Sequence, residues 1–343
     1  MTSEQQKTIV ALDVGGANIK LATSAGEAIS LPFAMWKHPE QLESQLGALL
    51  MRFPESQQIV ATMTGELADC FATKRQGVAH IVGALQQAAG SRSLSIYLTD
   101  GRLVTSAVAR TEHRLAAASN WHSLAAYVGT HESWQNSLLI DIGSTTCDVI
   151  PIVDGQVVAE GRTDIERLLS GELIYVGAER TPVVSVVQQL PYRGAMCPVA
   201  REFFATTLDV NLIAEQIAER PDDCDTADGK PATRACAVTR LGRCLCVDDE
   251  DWTQADAKTA TEHLLTIIAG LLLSSLQRVG ARHNELSKAP IVVSGHGEFL
   301  LEPLLGREVE ADRVCLLRDS LDESVSRCAP AYALACLAKR ELQ

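Results

Sequence analysis

Ile9-Val10-Ala11-Leu12-Asp13-Val14-Gly15-Gly16-Ala17-Asn18 and Leu138-Leu139-Ile140-Asp141-Ile142-Gly143-Ser144-Thr145-Thr146, whose aspartates lie 128 residues apart, are two versions of one pattern. An apolar run too short for a helix and rich in β-branched residues ends in Asp-x-Gly and a small polar turn, after which a second apolar run begins (Ile19 to Thr23, Cys147 to Ile152). Each version reads as a central strand, a tight turn and a returning strand. Their repetition at 13 and 141 points to a duplicated α/β unit with one cleft between the halves. A third strand, Ile291 to Ser294, runs into Gly295-His296-Gly297-Glu298.

Turns of this kind present backbone N–H groups to an anion, and their leading aspartates suit a divalent cation. The sequence therefore predicts phosphate chemistry. Gly15, Gly16, Asn18, Gly143, Ser144, Thr145 and Thr146 are the expected phosphate donors, joined by Gly295, Gly297 and Thr64. Lys20 and Lys74 are candidate phosphate cations; a solvated strand position suits Lys20 equally well, and Lys74 beside Arg75 reads more often as a solvated loop pair. Asp13 and Asp141 are the expected magnesium ligands.

The 343 residues are 46% hydrophobic and 21% charged, enough for large cores and two domains. A net charge of −13 argues against a broad nucleic-acid or anionic-membrane surface, so small-molecule partners are expected. Polar Met1 to Lys7 shows no export signal, which leads to an expectation of cytoplasmic location. The apolar stretch Leu264 to Leu273 reads as a buried helix rather than a membrane span. Ten cysteines without a signal peptide read as thiols, and Cys197, Cys224, Cys236, Cys244 and Cys246 lack zinc-ribbon spacing. His80, His113, His122 and His131 likewise show no metal-ligand spacing.

Further elements are expected as a helix from about Pro39 to Arg52, strands at Gln58 to Thr62 and Ser95 to Leu98, a helix from about Thr253 to Arg282, and an Ala-rich helix opened by Pro330. The expected organisation is a first lobe over 1–135 and a second over 136–327. A Pro-, Arg- and Asp-rich insertion at about 181–251 would line the cleft, and a final helix in 328–343 would cross back toward the first lobe. Pairing with a second copy as a homodimer is left open.

The loops at 13–16, 141–146 and 293–297 resemble the two phosphate motifs and the adenosine motif of the acetate kinase, sugar kinase, Hsp70 and actin superfamily. That resemblance implies a two-lobed actin-like ATPase (ribonuclease H-like) fold with duplicated mixed sheets. More specifically, Ala61-Thr62-Met63-Thr64-Gly65-Glu66-Leu67-Ala68-Asp69-Cys70, Tyr175-Val176-Gly177-Ala178-Glu179-Arg180-Thr181-Pro182-Val183 and Phe203 to Val210 are similar to a hydantoinase/oxoprolinase-like branch linked to tetrahydromethanopterin and methanofuran one-carbon metabolism. Its activity, an expectation here, joins an aminomethylfuran-methyl diphosphate to the phenol of γ-glutamyltyramine with loss of pyrophosphate. The attacking phenol calls for a base. Glu66 is the first candidate, although it suits equally the cap of a helix over Leu67 to Phe71; Asp100 and Asp228 come next. Lys74-Arg75, Arg180, Arg234 and Arg240 are candidate anion contacts or simple surface cations. The competing expectations are an ATP-dependent kinase or an oxoprolinase-like amidohydrolase, with ATP bound, and a non-enzymatic sensor. His296 and Glu298 beside the third loop weaken the ATP reading.

Overall fold

Strand β1 (Ile9–Val14) is buried along its whole length, because each of its two faces is covered by helices. The computed structural model describes residues 8–304 and 309–341; Met1–Lys7 lies outside the described residues. β1 pairs antiparallel with β2 (Asn18–Thr23), which pairs with β3 (Ala28–Pro32). On its other side it runs parallel to β4 (Gln58–Met63), followed by β5 (Ser93–Tyr97) and the short β6 (Leu103–Val104). The second sheet repeats this arrangement. β7 (Ser137–Ile142) pairs antiparallel with β8 (Cys147–Val153), which carries β9 (Gln156–Val157) and β10 (Leu173–Ile174). A small hairpin of β11 (Gln189–Tyr192) and β12 (Ala195–Pro198) stands apart. Parallel β13 (Ile291–Ser294) and β14 (Val314–Leu316) then complete the order 10-8-7-13-14. Two sheets with the same antiparallel-then-parallel order define a duplicated, ribonuclease H-like, actin-type α/β fold.

The pleat sorts residues between two covers. Val10, Leu12 and Val14 join the core formed with the helices Leu42–Leu50 and Lys74–Ala89, while Ile9 and Ala11 face the helix Ala329–Glu341. In β7, Leu138, Ile140 and Ile142 pack on the helix Gln254–Gly280, whereas Leu139 faces the helix Asn120–Gly129. These last two covering helices, Asn120–Gly129 and Ala329–Glu341, also pack on each other. Ala331, Ala333, Ala335 and Ala338 are all fully buried, which lets the terminal helix lie close to β1, β2 and β4.

Two features differ from the sequence expectations, and a third agrees with them. Asn120–Gly129 falls within 1–135 yet packs in the core of the second sheet, because Trp121, Leu124 and Val128 meet Leu139, Ile150 and Val292. The segment 181–251 mostly builds its own core around Leu190, Leu208, Leu241 and Trp252, and only the stretch from Gln216 to Arg220 borders the cleft. The helix Gln254–Gly280 is long and apolar enough by length and composition to cross a membrane; within the fold, Leu264, Ile268, Ala269 and Leu272 are core residues.

Glycine is structurally required where the helix Lys74–Ala89 passes the Glu66 loop: a Cβ on Gly77 would lie 2.0 Å from the Glu66 carbonyl oxygen. Gly77→Ala is expected to lower stability by about 3 kcal/mol in urea unfolding. Gly47→Ala, in the helix Leu42–Leu50 with nothing within 4 Å of the new methyl, should raise it by about 1 kcal/mol.

Candidate active site

The two Asp-x-Gly turns face each other across a cleft of 1980 Å³. Both turns close in the same way: the Gly15 N–H donates to the Asn18 carbonyl at 2.9 Å, and the Gly143 N–H to the Thr146 carbonyl at 2.9 Å. Each turn is braced from behind. Phe33 and Met35 donate backbone N–H bonds to Ala17 and Gly16, and Ala178, Glu179 and Arg180 donate to Gly143 and Ser144. Gly177 permits the second brace, since a Cβ there would fall 2.4 Å from the Thr145 nitrogen. The turn carbonyls are thus engaged, while the N–H groups of Gly16, Ala17, Ser144 and Thr145 have no protein acceptor among the described residues. All four residues line the cleft. Successive N–H groups left free in this way can hold an anion.

The carboxylates follow from strand register. Asp13 shares the parity of Ile9 and Ala11, and Asp141 that of Leu139, so both point to the interlobe side. Burial raises the pKa of Asp13, against the pull of Lys20, its antiparallel partner on β2. Burial, with the neighbouring Asp148 charge adding, raises Asp141 to about 6 despite Lys20. Asp148, the partner of Asp141 on β8, is raised by burial and held down in part by Arg167, whose Nη2 donates to its Oδ1 at 2.5 Å. The Arg167 guanidinium lies 3.9 Å from the Trp121 ring centroid. The helices Asn120–Gly129 and Ala329–Glu341 begin at this floor, with Asn120, Ala329 and Pro330 lining it, so both positive dipole ends meet the anion site.

Among the described residues no group of three or more His, Cys, Asp or Glu is arranged as a metal cage. A magnesium ion held by one or two carboxylates and completed by substrate phosphate oxygens needs none. Asp13 fits that role: its Oδ1 is buried and without a hydrogen-bond partner.

Glu66 lies at the same cleft, buried, with Oε2 unpartnered. Burial raises its pKa to about 7, with Asp164 adding to the rise and Lys74 opposing it. It caps no helix. Residues 67–71 form turns, and the next helix starts at Lys74 with Thr73 as its cap. Lys74 binds Asp164 across the lobes at 2.5 Å, so its charge is shared between halves.

Several expected site residues lie elsewhere or act otherwise. Asp100 borders a separate 530 Å³ cavity, paired with Arg102; burial would raise its pKa, but the Arg102 hydrogen bonds win and lower it. Asp228 sits in the insertion, bound to the buried Arg240, which also binds Asp209. Gly297 packs beneath the second turn, where a Cβ would meet Ile142 Cγ2 at 2.4 Å. Gly15 and Gly143 spend their N–H groups inside their turns. Arg75 is exposed off the cleft, and Arg234 pairs with Glu215. Gly16, Asn18, Lys20, Thr64, Thr145, Thr146, Gly295 and Arg180 do line the cleft, the last stacked on Trp36 across it at 5.0 Å. Sequence reasoning missed Ala17, Asp148, Arg167, Asn120 and Trp121. Asp148 alone carried a signal: it stands seven residues after Asp141, as Lys20 does after Asp13.

The chain belongs to the hydantoinase/oxoprolinase family, whose model matches residues 58–341. A protein of Methanocaldococcus jannaschii named (4-{4-[2-(gamma-L-glutamylamino)ethyl]phenoxymethyl}furan-2-yl)methanamine synthase is 32% identical over 97% of this chain and 98% of its own length. A protein of the same name from Methanococcus vannielii is 32% identical over 61% of this chain and 93% of its own. Among solved structures, the Acidaminococcus fermentans (R)-2-hydroxyglutaryl-CoA dehydratase component A is 13% identical, covering 97% of this chain and 98% of its own, with a TM-score of 0.42. The fold assignment rests on the strand order of this chain.

The raised Glu66 pKa sets a sign for stability. The folded state holds the Glu66 proton more tightly than the unfolded chain, so stability present below pH 4.5 is lost as pH rises through about 7. Between pH 4.5 and 8 the wild type should therefore lose roughly 3 kcal/mol relative to Glu66→Gln in urea unfolding. Parallel curves for the two proteins would contradict the buried carboxyl.

Proposed function

We propose that this protein is a magnesium-dependent transferase that joins an aminomethylfuran-methyl diphosphate to the phenol of a γ-glutamyltyramine or tyrosine acceptor, releasing pyrophosphate, in methanofuran biosynthesis. The observation that carries this reading is the pair of facing turns with unengaged N–H groups at Gly16, Ala17, Ser144 and Thr145, set beside one buried carboxyl, Glu66, whose pKa is about 7. The names of the two synthases supply the chemical identity of the product.

In the proposed reaction the phenol O–H bond breaks with its proton passing to Glu66. The phenol oxygen bonds to the furan methylene carbon as the bond from that carbon to the diphosphate oxygen breaks, and the electron pair leaves with pyrophosphate. The four N–H groups and Lys20 stabilise the charge that develops on the leaving group. A magnesium ion held by Asp13 and Asp141 would neutralise diphosphate oxygens. No nucleotide takes part, and the substrates are small molecules of the cytoplasm.

Purified protein with the furan diphosphate, γ-glutamyltyramine and magnesium is expected to yield the ether and one pyrophosphate per turnover without ATP, read by mass spectrometry. A strict requirement for ATP would overturn the assignment. Asp13→Asn should fold normally and lose roughly 10³-fold in kcat. The kcat/KM of the wild type should rise with pH through about 7, and Glu66→Gln should lie roughly 10²-fold or more below it with a flatter profile.

A further inference from the structure

The helix Asp164–Ser170 is inside out. Arg167 and Ser170 occupy its buried face, while Ile165, Leu168 and Leu169 are 63%, 41% and 69% exposed. Apolar side chains at i, i+3 and i+4 ordinarily form the face a helix buries. Here the buried face is committed to Asp148, which takes Arg167, so the apolar stripe is turned outward. Ile165 and Leu168 line the cleft, and opposite them on the first lobe stands Leu67, itself 58% exposed and one residue from Glu66. Together they give the cleft an exposed apolar lining from both lobes, and Glu66, next to Leu67, keeps a buried carboxylate oxygen without a partner.

The same cleft carries opposite charges beside these apolar residues. Lys74 and Asp164 bridge the lobes as a half-buried pair, while exposed Arg114 lines the cleft and adds to the capping N–H bonds in lowering the pKa of exposed Glu166. Glu166 uses Oε2 to accept the Arg162 and Thr163 N–H groups of its capping box. The buried carboxyl of Glu66, the exposed apolar side chains of Leu67, Ile165 and Leu168, and the exposed charges of Arg114 and Glu166 thus line one cleft. This set matches a ligand with a hydroxyl, an aromatic ring and an end bearing both an ammonium and a carboxylate.

We propose that Leu67, Ile165 and Leu168 form the subsite for the acceptor's aromatic ring, with Arg114 receiving the α-carboxylate and Glu166 the α-ammonium of its glutamyl end. This assignment rests on the ether-forming reaction proposed above and adds where the acceptor is recognised. Leu169, on the same helix but off the cleft, takes no part. This lining makes acceptor selection a property of both lobes, since neither Leu67 nor the stripe on Asp164–Ser170 suffices to enclose a ring.

The test is calorimetric titration of γ-glutamyltyramine into full-length protein saturated with magnesium pyrophosphate. All substituted positions are exposed, so folding is preserved. Ile165→Ser with Leu168→Ser is expected to weaken acceptor binding at least tenfold and to leave pyrophosphate affinity unchanged, whereas Leu169→Ser leaves both unchanged. Arg114→Ala should weaken γ-glutamyltyramine but not tyramine itself. Equal acceptor affinity in wild type and the double variant, or no acceptor binding by the wild type, overturns the proposal. A shift from dimer to monomer in the double variant by sedimentation, with acceptor affinity unchanged, would assign the stripe to a second copy and also overturn it. Acceptor binding that depends on the apolar lining, in a protein that forms no ether, supports the subsite while faulting the reaction assigned above.

Discussion

The two-residue period of a strand decides where the chemistry can occur. In β1 and β7 the even-numbered core residues face the outer helices, so the odd-numbered positions face the helices lying between the sheets. Asp13 and Asp141 are the odd residues at the last turn of each strand. A one-residue slip in either sheet would move its aspartate to the outer core and leave a valine or isoleucine in the cleft. The register is pinned where it matters: Asp13 sits between Lys20 and Thr62, and Asp141 between Asp148 and Ser294.

Collecting so many carboxyl groups in one buried place is unfavourable to the isolated protein. Burial raises the pKa values of Asp13, Glu66, Asp141 and Asp148 alike, and two of these groups keep an oxygen without a partner. Fixed positive features surround them: Lys20, Arg167, two helix N-termini and four unengaged N–H groups. A bound anion alone would meet repulsion from the acids, and a cation alone would leave the N–H groups unsatisfied. A ligand that brings both charges, such as the metal–diphosphate pair proposed above, would satisfy both sets at once.

The central strands and their Asp-x-Gly turns were legible because short β-branched apolar runs and Asp-x-Gly turns are local signals, whereas the strand order depends on tertiary pairing. The ends of β1, β7 and β13 were placed to within two residues by their apolar runs. What depended on tertiary partners was not legible. Asp228 and Asp100 look like free acids in the sequence, and only the fold reveals that Arg240 and Arg102 claim them. Arg167 and Trp121 are 46 residues apart in sequence and become one stack only because the helix Asn120–Gly129 crosses to the second sheet. The expected roles of Gly15 and Gly143 failed for a geometric reason: the first N–H of a tight turn closes the turn, and the next ones are free to bind.

The duplication is most informative where it breaks. At the position seven residues after the strand-end aspartate, the first half carries Lys20 and the second carries Asp148. Had both halves kept a lysine, two cations would face two aspartates, and a metal would gain little by binding. With two aspartates at this position instead, repulsion would be uncompensated. The chain has one of each, and the extra acid is neutralised by Arg167, the buried residue of a helix whose apolar side is thereby forced outward. The inverted helix at the cleft mouth and the asymmetry on its floor are thus a single event. Placing an acid opposite Asp141 requires a buried arginine, and the buried arginine turns Ile165 and Leu168 toward whatever enters the cleft.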